Sequence, residues 1–322
     1  MKAIVIHETG GPEVLKLEER PAPQPGPGQV LLKIAATGVN FIEIYQRSGV
    51  YKVDLPFILG GEGAGTVEDV GPGVTEVKRG DRVATMAGLG TYATQAVAPA
   101  EKLVPLPAGV SFELGVAAMD QGLTAHVLSH ETYRLKPGDR CLVHAAAGGV
   151  GLLLCQMAKM AGAYVIGTTS TEEKAQRARE AGANEVILYT QQDFEAEVKR
   201  ITGGQGVQVV YDSVGKDTFD KSLACLAPRG CLVSFGQSSG VVPPFDVLRL
   251  GGPKSAYLTR PMVFTYLQRR EDLLRHAGVV LDWIQMGKLN MRIDRTFPLA
   301  EAGAAQQALS SRKTSGKVLL AP

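Results

Sequence analysis

The stretch with the clearest chemical reading is Cys141-Leu-Val-His-Ala-Ala-Ala-Gly-Gly-Val-Gly151, which runs directly into Leu152-Leu-Leu-Cys-Gln-Met-Ala-Lys159. An apolar run passes through a glycine-rich turn into a segment of helical period, the setting in which a dinucleotide fingerprint carries weight. The positions fall as Ala146-x-Gly148-x-x-Gly151, with alanine in the first place. Gly148 lets the backbone approach a pyrophosphate and Gly151 lets the helix pack close to the strand, while the helix N-terminus supplies free N–H groups and positive dipole. Roughly 20 residues further on, an acid would take the ribose 2′-hydroxyl of NAD. That place reads Ile166-Gly-Thr-Thr-Ser-Thr-Glu-Glu-Lys174. Thr169 and Ser170 stand at the strand tip with Lys174 one helical turn on, a hydroxyl and cation set that suits a 2′-phosphate and predicts NADPH. Glu172 and Glu173 fall on the first helical turn, where they suit the dipole.

Positioning this turn requires a parallel sheet. From Arg140, apolar runs alternate with helical segments: Cys141 to Ala145, Tyr164 to Thr168, Val186 to Tyr189, Val207 to Tyr211, Cys231 to Phe235 and Ala256 to Leu258. Six strands with right-handed crossovers predict a doubly wound α/β sheet. The first 120 or so residues are instead cut by Pro and Gly into short β-like runs, predicting a β-rich domain in which Pro21 to Pro27 forms a surface loop. After the sheet come a helix near Glu271 to Met286, a strand at Met291 to Phe297, a helix near Ala300 to Ser310 and a strand at Lys317 to Leu320. Without βαβ rhythm, these are expected to complete the first domain. The division is 1–122, 123–262 and 263–322.

Composition narrows the function classes. Lys+Arg 34 against Asp+Glu 32 gives a net charge of +2, which argues against nucleic acid as a partner. Cys141, Cys155, Cys225 and Cys231 are scattered through apolar segments and form no CxxC pair, as expected of reduced, buried thiols in a cytoplasmic protein. The opening MKAIVIHETGG lacks the length and cleavage site of a secretory signal. The charge-free span Leu142 to Ala158 is shorter than the ~20 residues of a membrane helix and is broken by glycines, so no membrane insertion is expected.

Gly138 to Lys159 closely resembles the signature of the quinone oxidoreductase, or zeta-crystallin-like, group of the medium-chain dehydrogenase/reductase superfamily. The resemblance extends to Gly10-Gly-Pro-Glu-Val-Leu15, Gly38-Val-Asn-Phe41, Tyr211-Asp-Ser-Val-Gly215, Val233-Ser-Phe-Gly236 and Ser311-Arg-Lys-Thr-Ser-Gly-Lys-Val-Leu-Leu320. It implies a GroES-like catalytic domain, a Rossmann NADPH-binding domain, a C-terminal return, and hydride or electron transfer from nicotinamide C4 to a quinone in an interdomain cleft. Zinc alcohol dehydrogenases of the superfamily carry a Cys after Gly-Val and a His before Glu. Here Asn40 and Gly61 stand at those positions, so no metal is expected. His126 and His130, spaced i, i+4, lack a third ligand. Without a Lewis acid the substrate must itself be electrophilic, as quinones are.

The resemblance further implies that Asn40, Phe41, Ile42, Tyr45, Tyr51 and Thr124 lie at the nicotinamide end of the cofactor, and Gly148, Gly149 and Val150 at the pyrophosphate. Ser170, Lys174, Tyr189 and Arg312 would face the adenosine 2′-phosphate, and Ser213, Phe235, Gly236 and Ser238 the carboxyl edge of the sheet. Phe41, Ile42 and Phe235 would serve a core equally well. Tyr45 and Tyr51 are the candidates for orienting substrate through a hydrogen bond. Two other activities fit the same residues: NADPH-dependent reduction of activated C=C bonds in enals, enones or acyl thioesters, and a non-catalytic NADPH-binding role, structural or RNA-associated. Lys254-Ser-Ala-Tyr-Leu-Thr259, an apolar edge, is the expected homodimer seam.

Overall fold

A computed structural model describes residues 1–322, and the chain divides into two units, Met1–Leu123 with Gln268–Pro322, and Thr124–Leu267. The first begins with β1 (Lys2–Ile6), β2 (Lys16–Glu19), β3 (Gln29–Val39), α1 (Phe41–Arg47), β4 (Phe57–Ile58), β5 (Gly63–Val70), β6 (Arg82–Thr85), β7 (Gln95–Pro99), β8 (Val104–Pro105) and α2 (Phe112–Ala117). At the junction stands α3 (Leu123–Val127). The second unit continues with β9 (Arg140–Val143), α4 (Gly149–Met160), β10 (Tyr164–Thr169), α5 (Glu172–Glu180), β11 (Glu185–Leu188), α6 (Phe194–Ile201), β12 (Val207–Asp212), α7 (Phe219–Ala224), β13 (Leu226–Ser234), β14 (Tyr257–Thr259) and α8 (Val263–Tyr266). The first unit resumes with α9 (Arg270–Gln285), β15 (Ile293–Pro298), α10 (Ala302–Ser310) and β16 (Lys317–Ala321).

In the second unit six strands lie in the order β11-β10-β9-β12-β13-β14, every pair parallel. This is the strand order of a dinucleotide-binding sheet, with its reversal beside β9. Strands covered on both faces must be apolar nearly throughout, and Cys141, Leu142 and Val143 are all fully buried. Leu142, Ile166, Val210 and Leu232 of the sheet pack with Phe194 and Val198 of α6 and Phe219 and Leu223 of α7. The helices start where polar side chains cap them: Thr171 accepts the Lys174 N–H of α5, and Asp193 the Ala196 N–H of α6. β13 starts at Leu226, five residues before the expected Cys231, because Pro228, Arg229 in a left-handed conformation and Gly230 interrupt its apolar run. The register against β12 shifts there.

The first unit holds a three-stranded sheet, β2-β1-β4, and a larger one ordered β15-β16-β3-β5-β6-β8, with β7 also paired to β3. The C-terminal return supplies β15 and β16. β16 lies antiparallel to β3, with Val318 opposite Val39 and Leu319 opposite Gly38. On the other side of β3, Thr37 pairs with Gly63 of β5. The ends of three strands distant in sequence therefore meet, placing Asn40, Glu62 and Lys317 side by side.

Candidate functional site

In the second unit the turn between β9 and α4 passes from strand to helix through a glycine N-cap. Gly148 is the extended N-cap of α4 and has no side chain to occupy the free N–H groups that follow. Ala145 turns the chain with φ +50, a rare conformation for a residue with a Cβ. A Cβ on Gly151 would stand 2.2 Å from the Ala145 carbonyl oxygen, so only glycine lets the helix approach the turn this closely. Gly148, Gly149 and Val150 are half-buried.

The tips of β10 and β11 bring Ser170 and Tyr189 together, with Lys174 on the first turn of α5. The Tyr189 N–H donates to the Thr169 carbonyl (3.1 Å), and the Thr190 hydroxyl to the Ser170 carbonyl (2.9 Å). Glu172 and Glu173 pair with Arg179 and Arg177 along α5. Arg312 belongs to the other unit, on the turn after α10, exposed and with φ +59. Ser213, Phe235, Gly236 and Ser238 gather at the carboxyl ends of β12 and β13: the Phe235 N–H donates to the Asp212 carbonyl (2.8 Å) and the Ser238 N–H to that of Ser213 (3.1 Å).

A buried polar chain missed in the sequence ties these strand ends together. His144 Nε2 lies 3.0 Å from Ser222 Oγ and Nδ1 lies 3.0 Å from Thr168 Oγ1. Ser222 donates to Asp212 Oδ2 at 2.8 Å. The hydroxyl hydrogen of Ser222 is thus committed, so His144 carries its proton on Nε2 and accepts from Thr168 at Nδ1. Burial lowers the His144 pKa against the opposing charge of Asp212, keeping the ring neutral. The one sequence signal was a polar triad, His144, Thr168 and Asp212, at the ends of apolar strands.

In the first unit, Asn40 opens α1 in a capping box with Glu43. Phe41 and Ile42 follow half-buried. Tyr45 packs edge to face on Tyr51 (5.3 Å between centroids) and tilted on Phe41 (6.0 Å), and the Tyr51 N–H donates to the Tyr45 carbonyl at 3.0 Å. These five residues are therefore grouped. Thr124, the first residue of the second unit, is half-buried on α3.

Beneath them lies a cluster of which only Asn40 was anticipated. The Lys317 ammonium, fully buried, donates to Asn40 Oδ1 (2.7 Å) and to Glu62 Oε2. Asn40 Nδ2 donates to the same Glu62 oxygen (2.9 Å), and the Asp120 N–H to Glu62 Oε1 (2.7 Å). Glu43 accepts the Asn40 N–H at 2.8 Å. Burial, reinforced by the charge of Asp120, pushes the Glu43 carboxyl up to about 8, and burial with the charge of Glu62 pushes Asp120 to about 6. A catalytic zinc does not fit here. Gly61 offers no ligand, an ammonium already holds Asn40 and Glu62, all four cysteines lie in the other unit, and no three His, Cys, Asp or Glu side chains are arranged for a metal ion.

A Rossmann sheet paired with a β unit completed by the C-terminal return defines the medium-chain dehydrogenase/reductase class. Residues 26–108 match the alcohol dehydrogenase GroES-like domain, and 149–275 the zinc-binding dehydrogenase domain. The chain is 46% identical to a quinone oxidoreductase of Pseudomonas aeruginosa, with 100% of this chain and 99% of the relative covered. It is 44% identical to a 2-haloacrylate reductase of a Burkholderia species, covering 99% and 98%. The solved structure of Escherichia coli quinone oxidoreductase complexed with NADPH superposes with a TM-score of 0.98 at 43% identity, covering 100% of both chains. The chain belongs to the quinone oxidoreductase family.

Proposed function

We propose that this protein is an NADPH:quinone oxidoreductase that works without a metal. The observation that carries the reading is the Gly148 to Gly151 turn, a side-chain-free helix N-terminus at the reversal point of the parallel sheet. Gly148, Gly149 and Val150 hold the pyrophosphate; Ser170, Lys174, Tyr189 and Arg312 take the 2′-phosphate end; Ser213, Phe235, Gly236 and Ser238 border the dinucleotide. Asn40, Phe41, Ile42, Tyr45, Tyr51 and Thr124 serve the nicotinamide, with Tyr45 and Tyr51 orienting the substrate. The cofactor supplies two electrons and one hydrogen as hydride, and the quinone completes its reduction with a proton from solvent. The protein contributes binding, orientation and exclusion of water.

A second reading, reduction of an activated C=C bond, is favoured by the Burkholderia relative, whose 44% identity falls beside that of the quinone oxidoreductases. Following NADPH absorbance with quinones and 2-haloacrylates in parallel separates the two. No helix is long and apolar enough to cross a membrane, and we place the protein in the cytoplasm. It works as a homodimer through β14, an edge strand bearing the exposed Tyr257 with exposed Val247, Leu248, Met262 and Phe264 in the flanking chain. A monomer in sedimentation would remove the dimer.

A further inference from the structure

We propose that Lys317 is a positioning residue for quinone reduction: its ammonium locks the Asn40 amide so that one Nδ2 hydrogen is held ready for the carbonyl oxygen of the bound acceptor. The inference rests on the reaction proposed above and adds to it a residue outside the cofactor contacts. An ammonium has only donors, so the amide atom 2.7 Å from it must be Oδ1, and Nδ2 must then face Glu62. Flipping the amide would set an NH2 group against the ammonium and an oxygen against the carboxylate.

The Glu62 oxygens beside this amide are all engaged. Glu62 Oε2 takes Lys317 and Asn40, Oε1 takes the Asp120 N–H, and the Glu62 carbonyl takes the hydroxyls of Thr37 (2.7 Å) and Thr91 (2.9 Å). Asn40 has two Nδ2 hydrogens and donates one, to Glu62. Lys317 is 0% and Glu62 2% exposed, whereas Asn40 is 8% exposed, so the second Nδ2 hydrogen sits on the most accessible of these three side chains. When hydride adds to a quinone, the pair of electrons leaves negative charge on a carbonyl oxygen. A donor already fixed by a buried cation stabilises that charge without reorganising.

The test compares the wild type with Lys317→Met, Glu62→Gln, the double variant and Asn40→Ala. Melting temperature is measured together with kcat and KM for NADPH, using 1,4-benzoquinone as acceptor. Each single change at the ion pair should lower the melting temperature, and the neutral double variant should recover most of it, since no unpaired charge is left buried. The double variant should nevertheless keep a kcat at least tenfold below wild type with KM for NADPH within about twofold, and Asn40→Ala should lose kcat to a similar degree. Wild-type kcat in the double variant would make Lys317 merely structural and overturn the inference. A loss confined to KM for NADPH would overturn it as well, by assigning Asn40 to cofactor binding alone. If the double variant does not fold, an unchanged kcat in Asn40→Ala suffices to refute it. No quinone turnover by the wild type would instead refute the proposed function.

Discussion

Lys317 and Glu62, 255 residues apart in the chain, form an ion pair out of reach of solvent, and Gly38 makes room for it. A Cβ on Gly38 would stand 1.7 Å from Glu62 Oε2 and 2.7 Å from Lys317 Nζ. Gly38→Ala should therefore displace one or both charges and cost at least ~2 kcal/mol in denaturant unfolding. Unchanged stability would mean that the pair is not confined as described.

Glu43 supplies a pH test. Its buried carboxyl keeps a proton up to about 8, whereas an unfolded chain releases it near 4.5. Between those values the folded state binds more protons, so this group makes stability fall as pH rises, by at most ~1.4 kcal/mol per pH unit, and the loss levels off above the folded value. Glu43→Gln carries no such proton. Its stability relative to wild type should improve from about pH 5 to about pH 8; parallel pH profiles would contradict the assignment.

The turn after β9 predicts a loss of cofactor affinity. Gly151→Ala forces a Cβ against the Ala145 carbonyl and should weaken NADPH binding at least tenfold, or ~1.4 kcal/mol, in a fluorescence titration. Binding within twofold of wild type would remove the turn from the phosphate site.

Lys174 is the cation assigned to the 2′-phosphate. A hydrogen bond to a charged partner contributes about 1.5–3 kcal/mol, so Lys174→Ala should reduce the preference for NADPH over NADH by about ten- to a hundredfold, with little change in kcat/KM for NADH. An unaltered preference would reassign the 2′-phosphate.

What could be read in the sequence follows from how local each feature is. The Rossmann strands were legible because strands covered on both faces are continuous apolar runs, and the glycine turn because it is bounded by its own strand and helix. The break at Pro228 to Gly230 hid the start of β13. Lys317 was legible only as the head of an apolar strand, and Glu62 only as the residue after a missing ligand. Their pairing depends on the registers of β16 with β3 and of β3 with β5, which no local pattern encodes. His144 and Asp212 were hidden for the same reason, since Ser222 reaches them from a helix.

The most direct measurement is the steady-state rate of NADPH and of NADH oxidation with 1,4-benzoquinone, a larger naphthoquinone and 2-chloroacrylate. Turnover of at least one quinone should exceed that of 2-chloroacrylate, and kcat/KM for NADPH should exceed that for NADH by at least about tenfold, the value of one charge-assisted contact to the 2′-phosphate. Turnover of 2-chloroacrylate alone, or equal use of the two cofactors, would contradict the account.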